Sequence, residues 1–242
     1  MNLIIDIGNS FTKVALFKDN EIQGLFVLKK LTLKLLREIC EKQSELKAVI
    51  ISSVAVDAEK IRSFLQKKYL LIEYNSETEV PVTNNYKTPE TLGSDRLAAA
   101  CAGHFYFPGK NVLIIDAGTC IKYDLINVKG EYLGGAISPG IHMRFKAMNT
   151  FTENLPLVVP RKTEQAPGNS TENSMLSGVM NGTLYEMEGM IAAYEKELQP
   201  LEVILSGGDM NYFAAQLKNR IFAVPNIVLI GLNEILKFNV NT

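Results

Sequence analysis

The feature that most constrains the fold is a repeated six-residue segment. Residues 3–8 read LIIDIG and residues 113–118 read LIIDAG, so one copy lies near the start of each half of the 242-residue chain. In each copy an apolar, β-branched run typical of a buried strand ends in Asp-x-Gly. A second strand-like run follows each copy, at 12–17 and at 121–126. This internal repeat predicts a duplicated fold with one β-hairpin in each half.

The tip of the first hairpin carries groups suited to phosphate. Gly8-Asn9 is a pair that supplies the positive φ angles of a tight hairpin turn. Asp6, Ser10 and Thr12 add one carboxylate and two hydroxyl groups. A glycine-containing bend with exposed N–H groups, small hydroxyls and one acid can hold a polyphosphate and its metal ion. A plain hairpin with a polar tip fits this stretch as well, so both interpretations stay open at this point.

Composition argues against several classes of protein. The net charge of −1 gives no electrostatic reason to expect nucleic acid binding. With 47% hydrophobic and 21% charged residues, the chain has the composition of a soluble globular protein. Three cysteines without a Cys-x-x-Cys pair argue against a disulfide framework and fit a reducing compartment. Asp6 interrupts the first apolar run, and no run reaches transmembrane length, so we expect a cytoplasmic protein without a membrane partner.

Hydrophobic periodicity predicts a similar order of elements in the two halves. For the first half we expect a strand at 21–28, a helix capped by Thr32, a strand at 48–54, a helix capped by Asp57, a strand at 69–72, a polar loop at 75–93 and a helix at 95–107. For the second half we expect strands near 112–116, 120–126, 131–137 and 203–205, a helix from Ile141, a long helix at 173–198 and two closing helices. We place the boundary at Pro108-Gly109, which gives domains 1–108 and 109–242.

Five motifs occur in an order and spacing that resemble one enzyme family. They are Asp6-Ile7-Gly8-Asn9-Ser10, Gly93-Ser94-Asp95-Arg96, Asp116-Ala117-Gly118-Thr119, Gly134-Gly135-Ala136-Ile137-Ser138-Pro139-Gly140 and Ser206-Gly207-Gly208-Asp209. Together they resemble the type III pantothenate kinases, within the acetate and sugar kinase/Hsp70/actin superfamily. The resemblance implies an α/β protein of two tandem ribonuclease-H-like domains, the actin-like ATPase fold, with ATP in the cleft between them. The implied activity is ATP-dependent phosphorylation of pantothenate, the first step of coenzyme A biosynthesis.

The resemblance also implies a role for individual residues. Asp95 would be the general base that accepts the proton of the pantothenate hydroxyl group, a task suited to a carboxylate beside an arginine. Asp6 would hold Mg²⁺ directly or through water, and Asp116 would bind a monovalent cation, K⁺ or NH₄⁺. The implied ATP-binding residues are Asp6, Ile7, Gly8, Asn9, Ser10, Phe11, Thr12, Lys13 and Thr119. The implied substrate-binding residues are Tyr86, Gly93, Ser94, Asp95, Arg96 and Thr171.

Further expectations concern assembly and salt. The resemblance implies a homodimer, and the apolar stripe on the 173–198 helix suits a core or a partner interface. The glycine turn at 206–208 would allow close approach to the nucleotide. Either Asp116→Asn or replacement of K⁺ by Na⁺ is expected to weaken the use of ATP. The chain departs from the family pattern at Ser10, Cys120 and Ser206, and in the loop before Thr171, which lacks the usual basic residue.

Two other interpretations are open on the residues alone, while a third, a structural interaction module, explains neither the repeat nor the long loop. The first is another enzyme on this fold, such as a kinase for a different small alcohol or a polyphosphate-type phosphatase. The second is a non-catalytic regulator, because the family has a relative described as an accessory factor for transcription. The short chain argues against a sugar kinase, and the intact Asp6, Asp95 and Asp116 argue against lost catalysis. A fold by itself does not establish any of these functions.

Overall fold

The structure, a computed structural model, describes four stretches of the chain: 1–8, 11–53, 59–162 and 167–240. The chain forms two compact units. Unit 1 comprises Met1–Phe105 together with the C-terminal segment from Val228, and unit 2 comprises Tyr106–Ile227. The expected helix cap Asp57 and the expected ATP-binding residues Asn9 and Ser10 lie outside the described residues.

Unit 1 is built on a mixed five-stranded sheet. Its strands are β1 (Asn2–Ile7), β2 (Thr12–Lys18), β3 (Glu21–Leu28), β4 (Ala48–Ser53) and β5 (Leu70–Tyr74), in the spatial order β3-β2-β1-β4-β5. The strands β1, β2 and β3 form an antiparallel meander, while β4 runs parallel to β1 and β5 runs parallel to β4. Alternate apolar residues of β1, β2 and β4 pack against helices α1 (Leu33–Glu41) and α2 (Glu59–Gln66).

The remaining elements of unit 1 are a short strand, a turn and two helices that pack closely. The strand is β6 (Thr83–Asn84), the 3₁₀ turn is Pro89–Thr91, and the helices are α3 (Ser94–Tyr106) and, at the end of the chain, α8 (Ile227–Val240). A Cβ on Gly231 of α8 would lie 1.7 Å from the carbonyl oxygen of Ala98 in α3, so only glycine allows this approach. This contact explains why the C-terminal helix belongs to unit 1, whereas a single cut at residue 108 assigns it to the second domain.

Unit 2 repeats the strand arrangement of unit 1. Its strands are β7 (Asn111–Ala117), β8 (Cys120–Ile126), β9 (Glu131–Pro139), β10 (Leu201–Ser206) and β11 (Ile221–Ala223). Three antiparallel strands, β9-β8-β7, continue into β10 and β11, which run parallel to β7. The helices are α4 (Ile141–Phe151), α5 (Thr171–Leu176), a π-helical turn (Ser177–Asn181), α6 (Gly182–Glu197) and α7 (Met210–Phe213). The duplication predicted from the repeated segment is confirmed.

Local signals in the sequence account for much of this structure. The Thr32 side chain accepts a hydrogen bond from the Leu35 N–H group, so the predicted N-cap of α1 is confirmed. Four of the five stripe residues of the long helix are buried in the core of unit 2, and the fifth is partly buried against it: Met175, Val179, Met187 and Ile191, with Leu184.

Among the described residues, no helix is both long and apolar enough to cross a membrane.

The prediction of a tight turn with positive φ at Gly8 is wrong. Gly8 is not in the left-handed region. Four residues separate the paired ends Ile7 and Thr12, and the Gly8 N–H group donates to the Phe11 carbonyl oxygen over 3.1 Å. A loop of this width does not require the two positive φ angles of a two-residue turn.

Candidate active site

The carboxyl ends of the parallel strands in unit 1 carry a row of polar side chains. The register pairs Asp6 of β1 with Ser52 of β4, and Ser52 with Tyr74 of β5. Lys13 lies opposite Asp6 on the antiparallel strand β2. Residues paired in register lie on the same face of a sheet, and ligands of open α/β sheets bind outside the carboxyl ends of the strands. This row is therefore well placed to line a ligand site.

The Gly93-Ser94-Asp95-Arg96 motif lies beside this row at the start of α3. The hydroxyl oxygens of Ser94 and Ser52 are 3.2 Å apart. The Asp95 carboxylate accepts a hydrogen bond from the Arg96 N–H group at 2.9 Å. A Cβ on Gly93 would lie 2.7 Å from Oδ1 of Asp95, so glycine leaves room for this carboxylate. The motif thus presents one carboxylate in the first turn of α3, held by the Arg96 N–H group.

Tyr74, the last residue of β5, has Asp95 among its charged neighbours. Burial raises the pKa of the Tyr74 hydroxyl, and the nearby Cys101 and Asp95 raise it further. The phenol is therefore neutral at physiological pH and can donate a proton in a hydrogen bond without becoming charged. Sequence reasoning did not identify Tyr74 or Ser52, because both are recognised only through the register of non-adjacent strands.

The buried arginine of the motif contacts an aromatic ring. The Arg96 guanidinium lies over the ring of Tyr86, with 5.6 Å between the central carbon and the ring centroid. The Tyr86 N–H group donates to the Asn84 side chain at 3.0 Å, which holds this part of the loop. Stacking on an aromatic ring fixes the plane of a guanidinium, and that planar group suits recognition of a carboxylate. The expected substrate residues that unit 1 holds are Tyr86, Gly93, Ser94, Asp95 and Arg96.

The first hairpin holds most of the expected ATP-binding residues. Ile7 packs partly against the core of unit 1, and Thr12 is buried at the start of β2. Gly8 is exposed and Phe11 is half exposed, so the described part of the tip faces solvent. A solvent-facing turn beside an aspartate suits a magnesium-bound phosphate chain.

The second hairpin carries the expected cation ligand. Asp116, near the end of β7, lies directly opposite Lys122 of β8 in the register. The Lys122 ammonium nitrogen is 2.7 Å from Oδ2 of Asp116, and the two side chains are 17% and 14% exposed. Thr119 is exposed in the turn, which the Gly118 N–H group closes by donating to the Cys120 carbonyl at 3.0 Å.

Two glycine motifs support the backbone of the second hairpin. A Cβ on Gly140 would lie 1.9 Å from the Gly118 carbonyl oxygen, and one on Gly207 would lie 2.0 Å from the Ala117 carbonyl oxygen. Gly207 also has a φ of +95°, which favours glycine. The Asp209 N–H group donates to the same Ala117 carbonyl over 3.0 Å. Gly207 therefore packs on protein backbone, and no described atom outside its immediate neighbours lies within 4 Å of a Cβ on Gly208.

A polar cluster that sequence reasoning missed links β8 to two helices. The Tyr123 hydroxyl donates to Glu186 of α6 at 3.0 Å, and Arg144 of α4 forms an ion pair with the same carboxylate. Arg144 also donates to the Ser138 hydroxyl at 2.8 Å. Burial by itself raises the pKa of Glu186, but hydrogen bonds from Arg144, Ser138 and Tyr123 outweigh it and hold that pKa below its usual value.

Two residues singled out from the sequence remain: Asp209, of the last motif, and Thr171, an expected substrate-binding residue. Burial raises the pKa of the Asp209 carboxyl, while His142, whose Nε2 is 3.8 Å away, lowers it. Thr171 begins α5 in unit 2 and is exposed, and Ser170 caps this helix by accepting from the Asn173 N–H group at 3.2 Å. Thr171 therefore belongs to unit 2, while the other expected substrate residues belong to unit 1.

The described residues hold no group of three or more His, Cys, Asp or Glu side chains arranged for a metal ion. In kinases, one or two carboxylates, water and the phosphates of the nucleotide supply the ligands of Mg²⁺. Asp6, a partly buried carboxylate near the end of β1, is a suitable donor for such a shared ion.

Comparisons with known proteins agree on one family. The family model described as type III pantothenate kinase matches residues 2–193. The chain is 45% identical over 240 residues to the type III pantothenate kinase of Christiangramia forsetii and 47% identical over 240 residues to that of Phocaeicola vulgatus. In both cases the match covers 99% of this chain and 99% of the relative.

Solved structures confirm the fold. A protein described as a Baf family transcriptional activator from Campylobacter jejuni has a TM-score of 0.64 and 21% identity, covering 99% of this chain and all of that one. A ROK family glucokinase from Streptomyces griseus has a TM-score of 0.53 and 10% identity, covering 98% of this chain and 99% of that one. The predicted two-domain ribonuclease-H-like fold is confirmed. With the family model and the curated relatives, these findings show that the chain belongs to the type III pantothenate kinase family.

Proposed function

We propose that the protein transfers the γ-phosphoryl group of ATP to the primary hydroxyl group of pantothenate, at the start of coenzyme A biosynthesis. The observation that carries this proposal is the arrangement at the start of α3. There the Asp95 carboxylate and the Arg96 guanidinium, stacked on Tyr86, occupy one corner of unit 1. Pantothenate carries both groups that these side chains suit: a hydroxyl that must lose a proton and a carboxylate that a guanidinium can hold.

The proposed reaction is a single displacement. The pantothenate hydroxyl oxygen bonds to the γ-phosphorus, the bond from that phosphorus to the β,γ-bridging oxygen breaks, and ADP leaves with the bond electrons. Asp95 accepts the hydroxyl proton. Phosphoryl transfer depends mainly on positioning and on neutralising charge, so Arg96 and Tyr86 contribute by fixing the substrate rather than by covalent chemistry.

Nucleotide binding is proposed for the residues that the family pattern assigns. In unit 1 these are Asp6 and the tip of the first hairpin, including Lys13. In unit 2 it is Thr119, whose hydroxyl group lies in the exposed turn of the second hairpin. Mg²⁺ held by Asp6 would neutralise phosphate charge. The monovalent cation expected at Asp116 stays a prediction, and the surroundings of that carboxylate already contain the Lys122 ammonium.

We also propose a homodimer formed through unit 2. Among the described residues between 137 and 185, six large apolar side chains are exposed: Ile137, Met143, Phe151, Leu157, Val159 and Tyr185. Monomeric proteins rarely expose extended apolar surface. Light scattering during size-exclusion chromatography tests this proposal, because Phe151→Ser, which changes a side chain that is 85% exposed, should shift the protein toward monomer. The cytoplasmic location stays a prediction.

The test of the activity is pantothenate-dependent release of ADP from Mg²⁺-ATP. We expect Asp95→Asn to lower kcat by about 100- to 10,000-fold, the range that removal of a general base causes. Glu90→Gln is the matched control, because Glu90 is an exposed carboxylate in the preceding 3₁₀ turn. Thermal unfolding of each variant checks that the fold is retained.

Three outcomes would contradict parts of this proposal. A kcat for Asp95→Asn close to that of the wild type would remove Asp95 as the base. ADP release with a sugar or another alcohol, but not with pantothenate, would reassign the substrate. If the folded protein binds Mg²⁺-ATP but releases no ADP with any alcohol, the protein is a non-catalytic member of its family.

A further inference from the structure

The carboxylate expected to bind a monovalent cation already contacts a cation of the chain itself. The distance of 2.7 Å between Nζ of Lys122 and Oδ2 of Asp116 is that of a charge-assisted hydrogen bond. Both side chains are more than four-fifths buried, so solvent screens the pair less than it screens an ion pair at the surface. A free K⁺ ion at this oxygen would therefore have to displace an ammonium group of the same charge.

The fold holds this lysine opposite the aspartate. Asp116 and Lys122 are direct partners in the antiparallel register, and their neighbours Ala117 and Ile121 form the next pair. Ala117 and Ile121 are both buried. On the other side of Lys122, the Tyr123 hydroxyl donates a hydrogen bond to Glu186. The residues on both sides of Lys122 are therefore fixed. Its ammonium group has a high effective concentration at the Asp116 carboxylate, whereas a free ion must bind from solution.

We propose that Lys122 supplies the positive charge next to Asp116, so that this enzyme needs neither K⁺ nor NH₄⁺. The inference rests on the proposed function, since it concerns a carboxylate of unit 2 that is expected to bind a cation needed for the use of ATP. An ammonium group carries the same charge as K⁺ and is chemically a tethered alkyl relative of NH₄⁺. Displacing it would leave a mostly buried lysine without its carboxylate partner, which is strongly unfavourable. Lys122 is thus a positioning residue that keeps Asp116 neutralised.

The first experiment uses the wild-type protein and compares three salts at equal ionic strength: KCl, NaCl and tetramethylammonium chloride, whose cation is too large for such a site. Calorimetric binding of a non-hydrolysable Mg²⁺-ATP analogue and pantothenate-dependent ADP release are both measured. We expect each quantity to agree among the salts within about twofold, well below the tenfold change that 1.4 kcal/mol represents. An increase of tenfold or more in KCl would overturn the inference.

The two measurements separate this inference from the proposed function. If no ADP is released with pantothenate in any salt, the activity assignment fails, but nucleotide binding still reports on the cation. If ADP is released in KCl and hardly at all in NaCl or tetramethylammonium chloride, the activity stands and the role of Lys122 fails.

The second experiment changes the lysine. Lys122→Met keeps the length of the side chain and removes its charge, so we expect affinity for the nucleotide analogue to fall about tenfold in tetramethylammonium chloride, as for a lost charged partner. KCl or NH₄Cl should restore much of this affinity, because the emptied position can then hold a free ion. Lys129→Met, at the exposed turn between β8 and β9, is the matched control and should behave as the wild type.

The variant has its own contrary outcome. If Lys122→Met binds the analogue with wild-type affinity in all three salts, Lys122 does not neutralise the nucleotide site. Thermal unfolding shows whether the variant folds, and if it does not, the salt comparison on the wild type alone decides the question.

Discussion

The two hairpins of the repeat, β1–β2 and β7–β8, have nearly the same sequence and the same pairing but different surroundings. In both, an aspartate lies one residue before the end of the first strand and a lysine lies opposite it: Asp6 with Lys13, and Asp116 with Lys122. Six residues separate the first pair and five separate the second, so the first turn is one residue longer. The repeated segment therefore specifies the hairpin but leaves the length of its tip free.

The tips differ in what supports them. Gly140 and Gly207 pack directly on the carbonyl groups of Gly118 and Ala117 in the second hairpin. In the first hairpin, a Cβ on Gly8 would meet only the Phe11 carbonyl at 3.3 Å, an atom of the same turn, among the described atoms. The second tip is thus fixed by neighbouring backbone, while the described part of the first faces solvent.

The second strands of the hairpins differ as well. In the first hairpin, Val14 and Ala15 follow the lysine and are fully buried. At the same positions in the second hairpin stand Tyr123, bound to Glu186, and Asp124, which accepts a hydrogen bond from the buried Tyr132 hydroxyl at 2.8 Å. One hairpin is therefore held by apolar packing and the other partly by polar contacts, so the two should respond differently to mutation and to pH.

The largest effect is expected from removing the glycine support of the second hairpin. Gly207→Ala puts a Cβ 2.0 Å from the Ala117 carbonyl oxygen and forces alanine to a φ of +95°. We expect the free energy of unfolding to fall by about 3 kcal/mol or more, because strain and overpacking add.

Gly208→Ala is the control for this change. Gly208 has no positive φ, and no described atom beyond its neighbours lies within 4 Å of its Cβ position. Its effect should be about 0.5 kcal/mol or less, as at an ordinary surface site. Urea unfolding measures both variants, and equal losses would show that the glycine contacts do not fix this hairpin.

The second prediction compares the two aspartates in catalysis. Asp6→Asn should lower kcat/KM by about 100-fold and raise the Mg²⁺ concentration needed, because the proposed metal loses a charged ligand. Asp116→Asn should lower kcat/KM less, by about tenfold, since the Lys122 charge is retained. Initial rates at varied Mg²⁺ test this order. A larger loss for Asp116→Asn than for Asp6→Asn would reverse the proposed division of roles.

The elements of the fold could be predicted because they depend on local signals. The strand at 21–28 and the cap at Thr32 follow from alternation and from a hydroxyl before an apolar stripe. Strand β11 was missed because it has only three residues, none of them fully buried. A single cut at residue 108 places the C-terminal helix with the second half, whereas its contact with α3, between residues more than a hundred positions apart, groups it with unit 1.

The site was predictable only where motifs are contiguous. The Gly93–Arg96 motif and both Asp-x-Gly segments are short runs, so their chemistry is visible in one stretch. Ser52 and Tyr74 gave no such signal, since they meet the motif only through parallel strand register. Lys122 could have been found, because an antiparallel hairpin places it opposite Asp116 as it places Lys13 opposite Asp6.

The third prediction removes the polar anchor of the second hairpin. The pKa of Glu186 is lower in the folded protein than in the unfolded chain. Its contribution to stability is therefore fully present above its unfolded value and is lost as the pH falls through its folded value. Glu186→Gln should lower the free energy of unfolding by about 2 kcal/mol at pH 7, typical of charged hydrogen bonds.

The pH dependence separates this anchor from a generic effect of mutation. The difference between Glu186→Gln and the wild type should shrink below about pH 4, where the protonated glutamate resembles glutamine. Glu197→Gln, at the exposed end of the same helix, should change stability little at any pH. Urea unfolding from pH 3 to pH 8 measures all three proteins. A difference for Glu186→Gln that stays constant over this range would mean that the charge is not what anchors β8.

The smallest effect on stability is expected at the tip of the first hairpin. Gly8→Ala places a Cβ 3.3 Å from the Phe11 carbonyl oxygen, a close but adjustable contact, at a φ outside the left-handed region. The loss of chain entropy in the unfolded state favours alanine by up to about 1 kcal/mol, so the two contributions oppose each other and the net change should stay within about 1 kcal/mol. Urea unfolding and calorimetric binding of the Mg²⁺-ATP analogue are measured together. Near-normal stability with weaker nucleotide binding would show that this tip is kept open for a ligand. If the free energy of unfolding fell as much as in Gly207→Ala, the first hairpin would be supported as tightly as the second. The contrast between the two copies would then fail.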